Sequence, residues 1–147
     1  MTSSHTFHKI LPYDPNVLFD LVADVEHYPQ FVPGWVAARV IGRQGDIYET
    51  DQVVRIGGLS QRFRSHTTLD RPRLIEIRSD PGEAVDFHIV WTFEQLPEHH
   101  CDAGVLVEVN MRLGILDRIA RSFSRQALKS MVDAFERRAT HQTSAAS

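Results

Sequence analysis

A chain of 147 residues, 42% hydrophobic and 24% charged, is sized and composed for one globular domain with a real core. Its formal charge of −3 excludes wholesale nucleic-acid binding, so any anionic partner must meet a local patch. The single cysteine excludes an intrachain disulfide and a multi-cysteine metal site, and it fits a reducing compartment.

The opening segment MTSSHTFHK lacks the apolar centre of a secretion signal. No stretch approaches the roughly 18 apolar residues of a membrane span, so a soluble, cytoplasmic protein is expected. Residues 4–11 place Phe7, Ile10 and Leu11 among polar neighbours and predict a first strand, ended by Pro12. Asp14-Pro15 is a helix start. Asp14 is the expected N-cap, accepting backbone N–H bonds, and Pro15 takes the first helical position, where its missing donor costs nothing. Val17, Leu18, Leu21 and Val22 keep helical spacing to about Asp24. From Val25 to Trp35, Pro29, Pro33 and Gly34 limit helix to a turn or two, while Tyr28, Phe31 and Trp35 supply aromatic surface.

From Val36 onward, turn signals divide the chain into six strand-length segments, a meander. Leu59, Phe63 and Leu69 share one parity with Gln61, Ser65 and Thr67, against a polar face of Ser60, Arg62, Arg64, His66 and Thr68. The same alternation recurs in Phe87, Ile89, Trp91 and Phe93, and in Val105, Val107, Val109 and Met111. Tyr48, Thr50, Gln52 and Val54 share a face, which turns Glu49, Asp51 and Arg55 outward. One side of the sheet is therefore apolar and the other wet.

Residues 115–138 hold the longest run of helical spacing, with Ile115, Ile119, Phe123, Ala127, Met131, Val132 and Phe135 on one side. Arg118, Arg121, Arg125 and Lys129 form a basic stripe opposite. A sheet with one apolar face needs a cover, and this helix is the element long enough to supply it. The expected architecture is α+β, with a single domain over residues 1–139 and a flexible tail, THQTSAAS, over 140–147.

Three stretches, LVADVEHYPQFVPG from Leu21 to Gly34, the strand from Phe87 to Phe93, and MVDAFERRA from Met131 to Ala139, resemble the coenzyme Q-binding and ribosome-association-toxin branch of the START-like superfamily. That superfamily also includes birch-pollen-allergen-like proteins and polyketide cyclases. The resemblance implies a helix-grip fold: a curved seven-stranded antiparallel sheet wrapped around the long helix, with two short helices after the first strand and an elongated apolar cavity between.

On that resemblance the cavity takes a hydrophobic ligand, ubiquinone or a related isoprenoid quinone, without catalysis and with no required cofactor, in support of respiration. Its expected lining is Phe63, Ile89, Trp91, Phe93, Val107, Met111, Phe123, Ala127, Met131 and Phe135, gated by Tyr28, Phe31, Val32 and Trp35. Gln61 and Thr67, with Ser65, Thr50 and Gln52, are polar groups of inward parity that could donate to oxygens of a quinone head.

The aromatic stretch and the basic stripe also fit peripheral contact with a membrane at its inner face. An alternative implied by the same branch is a toxin-like protein that meets ribosomal RNA through the stripe and inhibits 70S subunit association. A cyclase-type cavity enzyme is a further alternative. No catalytic residue stands out. His99-His100, near Glu98, Cys101 and Asp102, lacks the ligand spacing of a zinc site and reads as a solvated loop.

Overall fold

The computed structural model describes residues 2–56, 58–83, 85–111 and 124–146. Strand β1 (Thr2–Leu11) precedes helix α1 (Pro15–Ala23) and a 3-10 helix over Val25–Gln30. Six strands follow: β2 (Trp35–Gln44), β3 (Ile47–Ile56), β4 (Leu59–Asp70), β5 (Leu74–Ser79), β6 (Val85–Leu96) and β7 (His100–Met111). Helix α2 (Arg125–Ala146) ends the described chain.

The seven strands form one antiparallel sheet in the order β1-β7-β6-β5-β4-β3-β2. This is the expected α+β, helix-grip arrangement: a meander from β2 to β7 with the first strand added beside the last. Edge strand β2 is irregular, with register shifts between Trp35 and Ala37 and between Val40 and Gly42. Such bulges bend an edge and spoil it as a template for other chains.

The alternation read from the sequence decides which face is buried. In β4 Ser65 and Thr67 are buried and Phe63 half-buried, while Arg62, Arg64 and His66 are exposed. In β6 Phe87, Trp91 and Phe93 point inward, and in β7 Cys101, Ala103, Val105, Val107 and Val109 are all buried. Leu59 departs from the pattern: at the start of β4, beside the β3–β4 turn, it is 61% exposed, beyond the covered part of the sheet.

Both helices lie on the inner face. Asp14 occupies the N-cap position of α1, but its side chain makes no cap hydrogen bond. Its carboxylate instead accepts from His99 Nδ1 at 3.0 Å, which ties the start of α1 to the β6–β7 turn. Phe19, fully buried, meets Phe93 edge-on with ring centroids 5.9 Å apart. On α2, Leu128, Val132, Phe135 and Ala139 recur at helical spacing and are all buried. Each large side chain so buried contributes roughly 1.5–3 kcal/mol.

Lys9 of β1 fastens the outer side of α2, with Nζ 2.9 Å from Asp133 Oδ1 and 2.7 Å from Glu136 Oε1. The predicted helical stretch Ile115 to Phe123, including Arg118 and Arg121, lies outside the described residues, as does the side chain of Met111. At its other end α2 runs on to Ala146, so helix replaces the flexible tail expected from residue 140. The hydroxyls in this last stretch are taken up locally. Thr140 Oγ1 donates to Glu136 O at 3.0 Å and Thr143 Oγ1 to Ala139 O at 2.9 Å, so these residues bond back to their own helix.

Candidate ligand cavity

Between the inner face of the sheet, the 3-10 helix and α2 lies a cavity of about 460 Å³. Tyr28, Val32 and Trp35 line it from the segment before and at the start of β2. The sheet contributes Gln61, Phe63, Thr67, Ile89, Trp91 and Val107, and α2 contributes Ala127 and Met131. The two expected lining residues Met111 and Phe123 fall outside what can be described.

Three other expected lining residues sit elsewhere. Phe93 is buried beyond the cavity, stacked on Trp91 at 6.2 Å and covered by Phe19. Phe135 is the hub of an aromatic cluster, with centroids 5.4 Å from Tyr28, 5.2 Å from Phe31 and 5.4 Å from Trp91. Phe31 packs on that cluster rather than on the cavity, and the Arg138 guanidinium lies 5.1 Å from its ring centroid. Parity says which face a side chain takes, but not whether space or another ring lies opposite it. The lining also includes Val22, Val25, Tyr48, Gln52, Val54, Ile77, Val85, Phe87 and Leu128, and toward the exposed end Pro33, Gly34, Arg55 and Glu83. Of these, Tyr48, Gln52 and Val54 already carried the inward parity of β3.

The chain reaches this wall through a tight turn at Gly34. Its φ of +88° is one that side-chain-bearing residues rarely adopt, and a Cβ there would lie 3.3 Å from Arg55 O. Gly34 O accepts from Arg55 N at 2.7 Å, which sets Trp35 against the inner face.

The inner polar groups are tied together. Trp35 Nε1 donates to Gln52 Oε1 at 2.7 Å, Gln52 Nε2 donates to Thr50 Oγ1 at 2.9 Å, and Thr50 Oγ1 lies 2.7 Å from Ser65 Oγ. Gln61 turns its amide to Arg62 O at 3.1 Å. Tyr48 Oη donates to Ala23 O at 2.8 Å and Tyr28 Oη to Val22 O, so two phenols satisfy the carbonyls at the end of α1. Burial pushes the Tyr48 phenol up to about 12, against the hydroxyl of Thr67 and the charge of Arg43, which favour ionisation. Burial likewise holds the Tyr28 phenol well above its usual range.

Of the expected basic stripe, Arg125 and Lys129 lie among the described residues, both exposed on α2. Lys129 Nζ donates to Asp133 Oδ2 at 3.0 Å, and Arg125 lies 5.9 Å from the centroid of Phe7. A second basic group occupies the outer face of the sheet, where Arg39 and Arg64 pair across the strands with Asp51. Arg62 bonds Asp51 through Nε, 2.8 Å from Oδ1, and through Nη2. That hydrogen bonding to Arg62 holds the Asp51 carboxyl below its usual range.

The His99-His100 loop is dispersed, with His99 on Asp14 and Cys101 buried in the sheet. Sequence reading missed a different grouping, Glu49, His66 and Asp80, contributed by β3, β4 and the β5–β6 turn. His66 Nε2 is 2.9 Å from Glu49 Oε1 and Nδ1 is 2.6 Å from Asp80 Oδ1. The two nitrogens point apart, so the ring bridges two carboxylates rather than joining them around one ion.

The sequence profile of the family described as polyketide cyclase / dehydrase and lipid transport matches residues 11–136. The chain is 33% identical over 130 residues to ribosome association toxin RatA of Pseudomonas aeruginosa, covering 88% of this chain and 90% of that protein. Against ribosome association toxin RatA of Rickettsia prowazekii it is 34% identical over 145 residues, covering 95% and 96%. Among solved structures, a START superfamily protein from Mycobacterium smegmatis superposes with a TM-score of 0.78 at 18% identity, covering 96% of this chain and 98% of that one. A protein of Thermus thermophilus superposes with a TM-score of 0.82 at 15% identity, covering 95% and 99%. With the profile spanning most of its length and the sheet, helices and cavity arranged accordingly, the chain belongs to the polyketide cyclase / dehydrase and lipid transport family, with a START-like helix-grip fold.

Proposed function

We propose that the protein binds a hydrophobic ligand of the isoprenoid-quinone class, such as ubiquinone, in this cavity and carries it without changing it chemically. The observation that carries the reading is the cavity itself. At about 460 Å³ it falls within the roughly 300–1,000 Å³ usual for ligand sites, and its walls are aromatic and aliphatic around a few fixed polar groups. The hydroxyl hydrogens of Tyr28 and Tyr48 are both given to backbone carbonyls at the end of α1, so neither phenol is free to act on a ligand as an acid, which supports a carrier. No required cofactor enters this reading. Among the described residues no helix is long and apolar enough to cross a membrane, and loading from a bilayer would take place by peripheral contact at the membrane's inner face, from the cytoplasm.

Mass spectrometry of organic extracts from protein purified without detergent tests the reading, with co-purified quinone as the expected result. Ala127→Phe, which places a ring in the cavity from α2, should lower quinone affinity much more than it lowers stability. Equal losses of both, or protein free of any lipid, would return the cavity to ordinary core.

A second reading rests on the names of the relatives, both ribosome association toxins. In it the protein docks on ribosomal RNA and impedes 70S subunit association, using arginines such as Arg39, Arg62 and Arg64 on the outer face of the sheet. Pelleting with ribosomes that depends on rRNA, and growth arrest on overexpression unaffected by Ala127→Phe, would favour this reading over the carrier.

A further inference from the structure

We propose that Gln52 is the residue that recognises a hydrogen-bond-accepting oxygen on the cavity ligand, and that Trp35 is the positioning residue that aims its amide. The inference deepens the carrier reading above and rests on it. It assigns the ligand a carbonyl-type oxygen beside an apolar ring, and it names the end of the cavity where that oxygen sits.

Most polar groups on the inner face use their donors within the protein, and the Thr67 hydroxyl bonds Tyr48. Thr50 and Ser65 are fully buried and bond each other. Gln61 spends its amide on the backbone at Arg62. Tyr28 and Tyr48 have one hydroxyl hydrogen each, and both are given to the end of α1. Gln52 and Gln61 are both primary amides with two hydrogens, but Gln61 is only half-buried and can give its second hydrogen to water, whereas Gln52 is buried. One hydrogen of Gln52 goes to Thr50 Oγ1. The other has no acceptor among the described residues, although Gln52 is only 6% exposed and stands on the cavity lining. A buried donor without a partner is costly, so this hydrogen is a place where a ligand acceptor is rewarded.

Trp35 makes the amide's direction unambiguous. An indole N–H only donates, so the group 2.7 Å from it must be the amide oxygen, and the nitrogen must face the other way. Without that bond the amide could turn over and present its oxygen, which would repel a carbonyl. The Trp35 ring is held in turn edge-on to Tyr28, at 5.7 Å.

The test uses two probes of nearly equal shape, duroquinone and durene, the tetramethylbenzene that lacks its two oxygens. Titration calorimetry should give a preference for duroquinone of roughly three- to ten-fold, the scale of one neutral hydrogen bond. Gln52→Leu should abolish the preference by weakening duroquinone alone. Gln52→Glu keeps the acceptor for Trp35 but supplies a carboxylate where the donor stood, so it should exclude duroquinone and still admit durene. Trp35→Phe should reduce the preference without removing it. In wild type the Gln52 side-chain amide resonance should shift with duroquinone and stay in place with durene. Equal binding of the two probes by wild type, or a preference that survives both Gln52 variants, overturns the assignment while leaving a cavity that binds apolar rings. Binding of neither probe overturns the carrier reading and the assignment together.

Discussion

The hydroxyl of Tyr48, on the inner face of β3, donates to the backbone carbonyl of Ala23 at the end of α1, 2.8 Å away. One side chain thereby closes the helix, fixes its angle to the sheet and forms part of the cavity wall. Tyr48→Phe leaves that carbonyl without its partner in a buried setting, at a cost of about 1–3 kcal/mol. Chemical denaturation should show the loss at neutral pH. The pH dependence supplies a second check. The folded protein holds the phenolic proton to about 12 while the unfolded chain releases it near 10.0. Its contribution is therefore complete below pH 10 and disappears between pH 10 and 12, and the variant should lose less stability than wild type across that interval.

Lys9, Asp133 and Lys129 join β1 to α2 through charge. Hydrogen bonds from Lys9 and Lys129 hold the Asp133 carboxyl below its usual value of 3.8, and hydrogen bonding to Glu136 and Asp133 raises Lys9 above 10.5. Asp133 thus contributes stability above the unfolded carboxyl value and loses it as the pH falls through the folded one. Asp133→Asn should be less stable than wild type near about pH 7, and the gap should narrow as the pH falls below the unfolded carboxyl value of 3.8. A gap that did not narrow on acidification would mean that packing, not charge, holds this corner.

Much of this arrangement was legible in the sequence, for identifiable reasons. Alternation in β4, β6 and β7 is a local signal, and it assigned Phe63, Ser65, Thr67, Trp91 and Val107 to the inner face correctly. Depth is not local. Phe93 and Phe135 have the periodicity of lining residues, but the rings that fill the space before them come from α1 and from the segment after it. Gln52 was visible as an inward polar residue, whereas its bond to Trp35 depends on the turn at Gly34. Asp51 was correctly turned outward, yet it is almost covered, because arginines from β2 and β4 close over it. The Glu49, His66 and Asp80 bridge had no sequence signal, since its members come from three separate segments.

Cys101 is fully buried in β7 and its thiol is pushed up to about 11, chiefly by burial and then by the charge of Asp102. Thiolate is the reactive form, so the folded protein should label with a thiol reagent far more slowly than the protein in denaturant. Rapid labelling of the native state would show that β7 opens readily at that point.

We propose that the packed domain, though not the helix, ends at Ala139, beyond which Thr140, His141, Gln142 and Thr143 are all exposed. Thr140 bonds Tyr13 Oη across the surface at 2.6 Å. Truncation after Thr140 should remove helical circular dichroism while changing stability by less than about 1 kcal/mol. A larger loss would place the end of α2 within the cooperative unit.

The position of β1 bears on how the protein is made. Leu11 pairs with Cys101 and Thr2 with Asn110, so β1, made before the other six strands of this sheet, must wait for β7 before its inner edge is satisfied. Helix α2, which covers the same face, emerges later still. Pairings so distant along the chain slow folding, because the cost of closing the loop comes before the contacts that reward it. Polar residues are spaced along β1, at Ser4, Thr6, His8 and Lys9, and such residues lower the tendency of an unpaired strand to pair with other chains.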